Sequence, residues 1–232
     1  MNWNNFDYSK IGEIPEVRIR AELLHSRLRK SKRCALEVGV GSGDITLMLL
    51  DKFDSITCVD SNSKNFENLE KRIEKKDMRR VKFVHSKIED ANLPEKYKDI
   101  ILFGILEHLE NPVDTLKKIL GLMDRDGKMY IAVNLANSIH RLLGVKMGMI
   151  SDVCELSESD VRLGHYRIYT PELLRSHLSQ AGLRREYEQP FYLKPLPTSK
   201  LNSLSIEIHR GLDLLGREHP EFASYIYVEA KK

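Results

Sequence analysis

Apolar positions along this chain switch repeatedly between helical and strand spacing. Val17, Ala21, Leu24 and Leu28 recur at helical intervals and predict an amphipathic helix over 15–30. Its arginines, Arg18, Arg20, Arg27 and Arg29, read as a solvated face. The short apolar run 35–38, glycines at 39, 41 and 43, and an amphipathic segment over 45–50 read as strand, tight turn and helix. Alternation over 55–60 predicts a second strand, after which Asn62 caps a helix whose Phe66, Leu69 and Ile73 share a face. Residues 81–85 follow as a third strand. The continuous apolar run 99–103 has the pattern of a parallel strand covered on both faces.

Asn111, Pro112 and Asp114 carry helix-start signals ahead of Leu116, Ile119 and Leu120, and that helix is expected to end near Asp124. Asp126 and Gly127 make a turn into a fifth strand over 128–134. From 135 to 169 the regular pattern lapses, and a long irregular segment inside a compact domain is usually a lid or a binding loop. Thr170, Pro171 and Glu172 start another helix, with Leu174, Leu178 and Ala181 on one face and Gly182 as its stop. Residues 183–193 are strand-like, interrupted by Pro190; Pro195 and Pro197 mark a loop; Leu204, Ile208, Leu212 and Leu215 predict a helix; 224–230 closes as a strand. Strands alternating with helices at this spacing imply right-handed crossovers and an α/β, doubly wound parallel sheet.

Composition narrows the class. A chain of 232 residues is expected to be one domain over 1–232, with 1–33 as a helical lead-in and 135–169 as an insertion after the fifth strand. Apolar residues make up 41% and charged residues 31%, the balance of a globular protein and not of a disordered one. A net charge of +3 is too small to imply a nucleic-acid or membrane partner by itself, so any basic patch has to be local. The first ten residues show neither a basic nor an apolar leader region, and no run approaches the ~20 apolar residues of a membrane span, so the cytoplasm is the default location. Cys34, Cys58 and Cys154 lie far apart without ligand spacing, so neither a disulfide framework nor a metal site is expected.

The glycine turn carries the chemistry. A dinucleotide fingerprint needs a glycine where this chain has Asp44, and a carboxylate there repels phosphate. Glu37, two residues before the first glycine, can hold an ammonium group directly or through water. Asp60, ending the second strand, can accept from both ribose hydroxyls. An adenosine carrying a charged amino-acid tail satisfies all three.

The motifs LEVGVGSG (36–43), CVD (58–60), HSKIED (85–90) and YKDIILFGILEHLENP (97–112), with the strand after Asp126 and Gly127, resemble those of class I S-adenosylmethionine-dependent methyltransferases over 36–134. The resemblance implies a seven-stranded, mostly parallel sheet whose last strand is antiparallel. S-adenosyl-L-methionine, converted to S-adenosyl-L-homocysteine, lies across the carboxyl ends of strands one to four. It sets Glu37, Gly39, Gly41 and Gly43 around the methionine part, Asp60 and Ser61 at the ribose, and Ile88 and Glu89 at the adenine. Phe103 and Gly104, at the end of strand four, stand where a carbonyl meets the amino group. The family often has an acidic residue where this chain has Lys87, which offers no acceptor, so adenine reading falls to a backbone carbonyl or to Glu89. Glu107-His108 matches the LEH of a small-molecule branch; a metal-binding or catalytic role is one reading, and a histidine packed and hydrogen-bonded beneath the cofactor is the favoured one.

Methyl transfer is an in-line displacement, and a hydroxyl acceptor benefits from a base near neutral pH. The run GHYRIYT resembles a recurring lid of bacterial small-molecule methyltransferases, and with strand five it supplies the candidates. His165 is the first choice of base and His140 the second. Arg141 and Arg167 would hold an anionic group by fork geometry, and Asn134 and Tyr166 would contact the acceptor. His165 and Arg167 can equally brace the lid. The acceptor implied is a hydroxyl of a small polar metabolite, possible classes being a sugar or a nucleotide-linked sugar. Three readings compete: an RNA or protein acceptor, disfavoured by the near-neutral charge; an NAD-dependent oxidoreductase, disfavoured by Asp44; and a non-catalytic cofactor-binding module.

Overall fold

The computed structural model describes residues 15–232; the first fourteen residues of the expected lead-in, and with them the reading that no leader is present, lie outside the described residues. Seven strands form one sheet: β1 (Ser31–Val38), β2 (Phe53–Asp60), β3 (Val81–His85), β4 (Tyr97–Phe103), β5 (Met123–Asn134), β6 (Arg184–Phe191) and β7 (Tyr225–Lys231). Their order is β3-β2-β1-β4-β5-β7-β6. All pairs are parallel except those of β7, which runs antiparallel to both β5 and β6. Both the doubly wound sheet and its reversed last strand are as expected.

Because side chains alternate across a strand, each central strand feeds two cores. Leu36, Ile100, Leu102, Ile131 and Val228 face one side of the sheet. Ala35, Ile56, Cys58, Ile101 and Tyr227 face the other. Each fully buried aliphatic side chain contributes about 1.5–3 kcal/mol, so the sheet centre is the anchor of the fold. Helices α4 (Pro112–Leu122) and α7 (Pro171–Gln180) cover the first face. Helices α1 (Pro15–Arg27), α2 (Asp44–Leu49), α3 (Ser63–Arg72) and α9 (Ile206–Glu218) cover the second, and α5 (Ile139–Lys146), α6 (Glu158–Leu163) and α8 (Thr198–Leu201) lie in the later connections.

Several local expectations change. Helix α1 stops at Arg27, and two of its arginines have partners: Arg20, half-buried, lies over the Tyr225 ring, while Arg27, still exposed, lies over Tyr187 and pairs with Glu229 at 2.6 Å. Asp126 and Gly127 form no separate turn. They sit in a bulge of β5, where Tyr97 pairs with Met123 but Asp99 pairs with Lys128, and a Cβ on Gly127 would lie 3.1 Å from the Tyr97 carbonyl oxygen. Asn111 occupies the cap position of α4 without a side-chain capping bond. The segment 135–169 is not irregular, since it contains α5 and α6; Leu135 bridges Tyr169, so its two ends close on each other.

Helix α9 buries a face that hydrophobic periodicity does not reveal. Ile208 and Leu215 are exposed, while His209, Asp213 and Gly216 face inward. A Cβ on Gly216 would stand 2.2 Å from the Tyr192 backbone nitrogen, and His209 Nδ1 pairs with the Tyr192 hydroxyl at 2.6 Å. Close backbone approach and a satisfied polar pair replace apolar packing there. Among the described residues no helix is long and apolar enough to cross a membrane, the three cysteines are free, and no group of three His, Cys, Asp or Glu is placed to hold a metal.

Candidate functional site

The carboxyl ends of β1 to β5 and the start of β7 converge on one cavity of about 860 Å³. Strands that diverge after their last pair leave a crevice at this edge, and here 38–42, 59–61, 86–89, 103–105 and 107–110 form its floor and walls. Helix α1 closes it through Glu16, Val17 and Arg20, and the 135–169 segment through Ser159, Arg162, Leu163, His165 and Tyr166.

The turn after β1 depends on glycine. Gly39, Gly41 and Gly43 have φ of +81°, +54° and +82°. A Cβ on Gly39 would stand 1.9 Å from Ile105 Cδ1, so the residue is fixed both by its left-handed backbone and by its neighbour. The space over Gly41 is open, and this residue lines the cavity. Gly43 does not: it begins α2 and packs against Leu69.

Asp60 organises the turn more than sequence suggests. Its Oδ2 accepts from the backbone of Val40 at 2.8 Å and Gly41 at 3.4 Å and from Asn65 Nδ2 at 3.0 Å; its Oδ1 accepts the Asn62 amide at 2.8 Å. Oδ1 therefore retains the capacity for a ligand hydroxyl, and the expectation that both oxygens serve a ribose is corrected. Ser61, Ile88, Glu89, Phe103 and Gly104 all line the cavity.

Glu37 lies beneath the turn and not on the cavity wall. Its Oε2 accepts from Thr46 Oγ1 at 2.6 Å, and burial, with Asp60 nearby, pushes its carboxyl up to about 8. Its Oε1 has no hydrogen-bond partner. Five more buried atoms without one among the described residues, Arg20 Nε, Ser61 Oγ, Asn65 Oδ1, Glu107 Oε2 and His165 Nδ1, belong to residues of the wall. Buried polar atoms are ordinarily satisfied, so their gathering around one cavity is the mark of a polar ligand.

The acceptor candidates divide. Asn134, His165 and Tyr166 line the cavity, whereas His140, Arg141 and Arg167 do not. His165 is nearly buried, with Nδ1 3.2 Å from Asp160 Oδ1 and its ring edge-to-face with His108 at 4.7 Å. Burial works against ionisation of Asp160, but bonds from His165, Ser157 and Arg141 hold its carboxyl well below the usual range. Arg141 reaches Asp160 Oδ2 at 3.0 Å and the carbonyls of Val153 and Glu155, so its fork fastens the lid and is not available to an anion. Arg167 is engaged in the same way by the carbonyls of Leu106, Leu109 and Glu110. His140 pairs with Ser138 Oγ at 3.0 Å, and burial with the Lys194 and Arg141 charges depresses it to about 4. His108 is depressed to about 3, chiefly by burial and then by His165.

Hydrophobic periodicity and motif matching missed a second polar group. Glu16 accepts from Thr198 at 3.0 Å and from the Tyr225 hydroxyl, and pairs with Lys194 at 3.3 Å. Burial opposes its charge, yet Lys194, Tyr225 and Arg20 hold the carboxyl below its ordinary value. The signal in the sequence was slight: an acid and an arginine on the helix face shared with Val17.

Comparison with known proteins agrees with this fold. Residues 36–131 match the family model of a methyltransferase domain. The chain is 26% identical over 104 residues to (S)-coclaurine N-methyltransferase of Thalictrum flavum subsp. glaucum, covering 44% of this chain and 29% of that protein. It is 23% identical over 128 residues to the mitochondrial ubiquinone biosynthesis O-methyltransferase of Schizosaccharomyces pombe, covering 54% and 47% respectively. The match thus spans less than half the length of either relative. The solved structure of an S-adenosylmethionine-dependent methyltransferase from Mesorhizobium loti superposes with a TM-score of 0.65 at 12% identity, covering 91% of this chain and 96% of that one. Residues 36–131 match the methyltransferase-domain family, and the chain has the fold of the S-adenosylmethionine-dependent methyltransferases.

Proposed function

We propose that this chain transfers the methyl group of S-adenosylmethionine to a hydroxyl of a small polar metabolite, with His165 as general base. The observation that carries the donor is the set of unpartnered buried polar atoms around the glycine turn. Glu37 Oε1 receives the ammonium group directly or through water, Asp60 Oδ1 a ribose hydroxyl, and Ile88 and Glu89 border the adenine. Arg20, beside Gly104 at the end of β4, holds the methionine carboxylate, a role that sequence reading did not assign to it. The bound donor would supply a methyl group on a positively charged sulfur; Asp44 pairs with Arg72 and does not line the cavity, so it takes no part in excluding a pyrophosphate.

The acceptor lies between the lid and Asn134. The Asp160 carboxylate, 3.2 Å from Nδ1 of His165, favours a proton on that nitrogen by its charge, leaving Nε2 as the ring nitrogen that takes the hydroxyl proton as the methyl is transferred. Arg141 acts one step behind, as a positioning residue that fixes Asp160. Tyr166 and Arg162 border the mouth and contact the acceptor's polar groups. Burial of His165 and its neighbours excludes water, the main competing nucleophile.

Transfer to an amine is a second reading, supported by the buried Glu107, whose unpartnered Oε2 on the cavity wall suits an ammonium-bearing acceptor. Turnover measured with matched hydroxyl and amine acceptors decides between them. Hydroxyl transfer predicts that His165→Ala lowers turnover at all pH values; an amine acceptor already neutral at high pH would react without His165 there. Absence of S-adenosylhomocysteine binding by calorimetry would overturn both.

A further inference from the structure

In a mostly parallel sheet the strands begin at one edge, so residues far apart in sequence converge there. At this edge, opposite the cavity, every strand of the seven carries a cation. Arg79 precedes β3, Lys52 precedes β2, Lys32 and Arg33 lie at the start of β1, and Lys96 precedes β4. Arg125 lies in the bulged start of β5 and Arg184 opens β6; β7 runs the other way, so Lys232 after it reaches the same edge. All but Lys52 are exposed.

Ion pairing neutralises only part of this row: Arg184 pairs with Glu186 at 3.5 Å, and Asp124 and Asp126 share a cleft with Arg33 and Lys96. Glu229 is taken by Arg27 and Lys128, each at 2.6 Å, and Asp51 by Lys30 and His25. Arg29, Lys32 and Arg33 form no ion pair among the described residues. Arg29 and Arg33, with Lys98, also line a concave cleft of about 830 Å³ whose only acids are Asp99 and Glu229. The net charge of +3 conceals this segregation.

We propose that the amino-terminal edge of the sheet binds a nucleic-acid strand through its phosphates, at a site separate from the methyl-transfer cavity. Neighbouring strands stand about 4.8 Å apart, so the cations are spread over roughly 30 Å, the reach of a polymer and not of one small anion. A membrane surface fits less well, because the large exposed apolar side chains lie elsewhere: Leu143, Met147 and Met149 in and after α5, and Ile208, Leu214 and Leu215 on α9. No exposed aromatic residue stands at this edge to stack a base, so RNA and DNA are held alike.

The test uses the full chain and labelled single strands of RNA and DNA of about 20 nucleotides, followed by fluorescence anisotropy against rising salt. Both strands are expected to bind at low salt with similar affinity, and log K to fall with log salt at a slope of about −0.7 per phosphate contacted. The triple variant Lys32→Glu, Arg33→Glu, Lys96→Glu is expected to lose at least about tenfold in affinity with its thermal midpoint unchanged, since these side chains are exposed. No binding of either strand at low salt overturns the proposal, as does equal binding by the triple variant. Capture by phosphatidylglycerol vesicles but not by strands assigns the edge to membranes, and displacement of the strand by micromolar pyrophosphate assigns it to a small phosphorylated ligand; either overturns it. None of these outcomes depends on methyl transfer.

Discussion

The two ends of the cavity, proposed above to hold the methyl donor and the acceptor, are built from different materials. At the donor end, backbone does most of the work: the left-handed turn at Gly39 and Gly41, the amides that bond Asp60, and the chain leaving β4 at Gly104. These parts belong to three adjacent strands of a fixed sheet. At the acceptor end, side chains from α1, the lid, Lys194 and Tyr225 meet across as many as 209 positions of sequence, as Glu16 and Tyr225 do. A backbone cradle admits one ligand shape, whereas side chains on separate segments can be exchanged without disturbing the sheet. Substitutions at the acceptor end are therefore expected to change turnover and acceptor choice, and those at the donor end to change cofactor affinity.

His165→Ala gives the largest effect and tests this division most sharply. Loss of a positioned base lowers turnover by about 10²–10⁴-fold, while calorimetry shows S-adenosylhomocysteine affinity within about twofold of wild type. Equal losses in both would mean that His165 supports the cofactor, and the two ends would not be separable. Next comes Gly39→Ala. A left-handed backbone for alanine costs about 1–3 kcal/mol, and Ile105 must move out of contact. Cofactor affinity is expected to fall about ten- to hundredfold, with a lower thermal midpoint. Unchanged affinity would show that the turn is not the cradle.

Asp60→Asn is milder because the shape is kept. It weakens the bonds from Val40 and Asn62 and removes a charged acceptor, so stability and cofactor affinity each decline by about 1–2 kcal/mol. If stability falls and affinity does not, Asp60 serves the turn alone.

The same contrast explains what sequence reading could reach. The glycine turn and its place at the cavity were legible because a tight turn and an acid one strand later are short-range constraints, and Gly39, Gly41 and Asp60 express them within one βαβ unit. Gly43 was misplaced because helix capping and ligand approach both call for glycine. Of the residues expected at the acceptor, Asn134, His165 and Tyr166 reach the cavity, the first from the end of a strand and the others from a local motif. Arg141 and Arg167 have the right chemistry for an anion clamp, but their forks meet backbone carbonyls brought in by tertiary folding, which sequence spacing does not encode. Glu16 and Arg20 were obscured for the same reason, since an amphipathic helix gives no sign of which polar residues overhang a crevice.

Glu37 offers the finest test of the donor end, through protons. Burial holds its carboxyl at about 8 without a ligand, against 4.5 for an ordinary glutamate. Below about pH 4.5 the group is protonated in both folded and unfolded chains. As pH rises from there to about 8 the unfolded chain releases the proton first, so the stability that the raised value confers at low pH is progressively lost. The Glu37→Gln variant should show none of this slope in thermal unfolding without ligand. An ammonium group favours the carboxylate, so binding below about pH 8 must expel a proton, and cofactor affinity should rise with pH by at most about tenfold per unit. Calorimetry in buffers of different ionisation enthalpy counts that proton directly. A count of zero at pH 6.5 in the wild type would place the ammonium elsewhere, whereas a count near one that vanishes in Glu37→Gln would tie the buried Oε1 to the donor's charged tail.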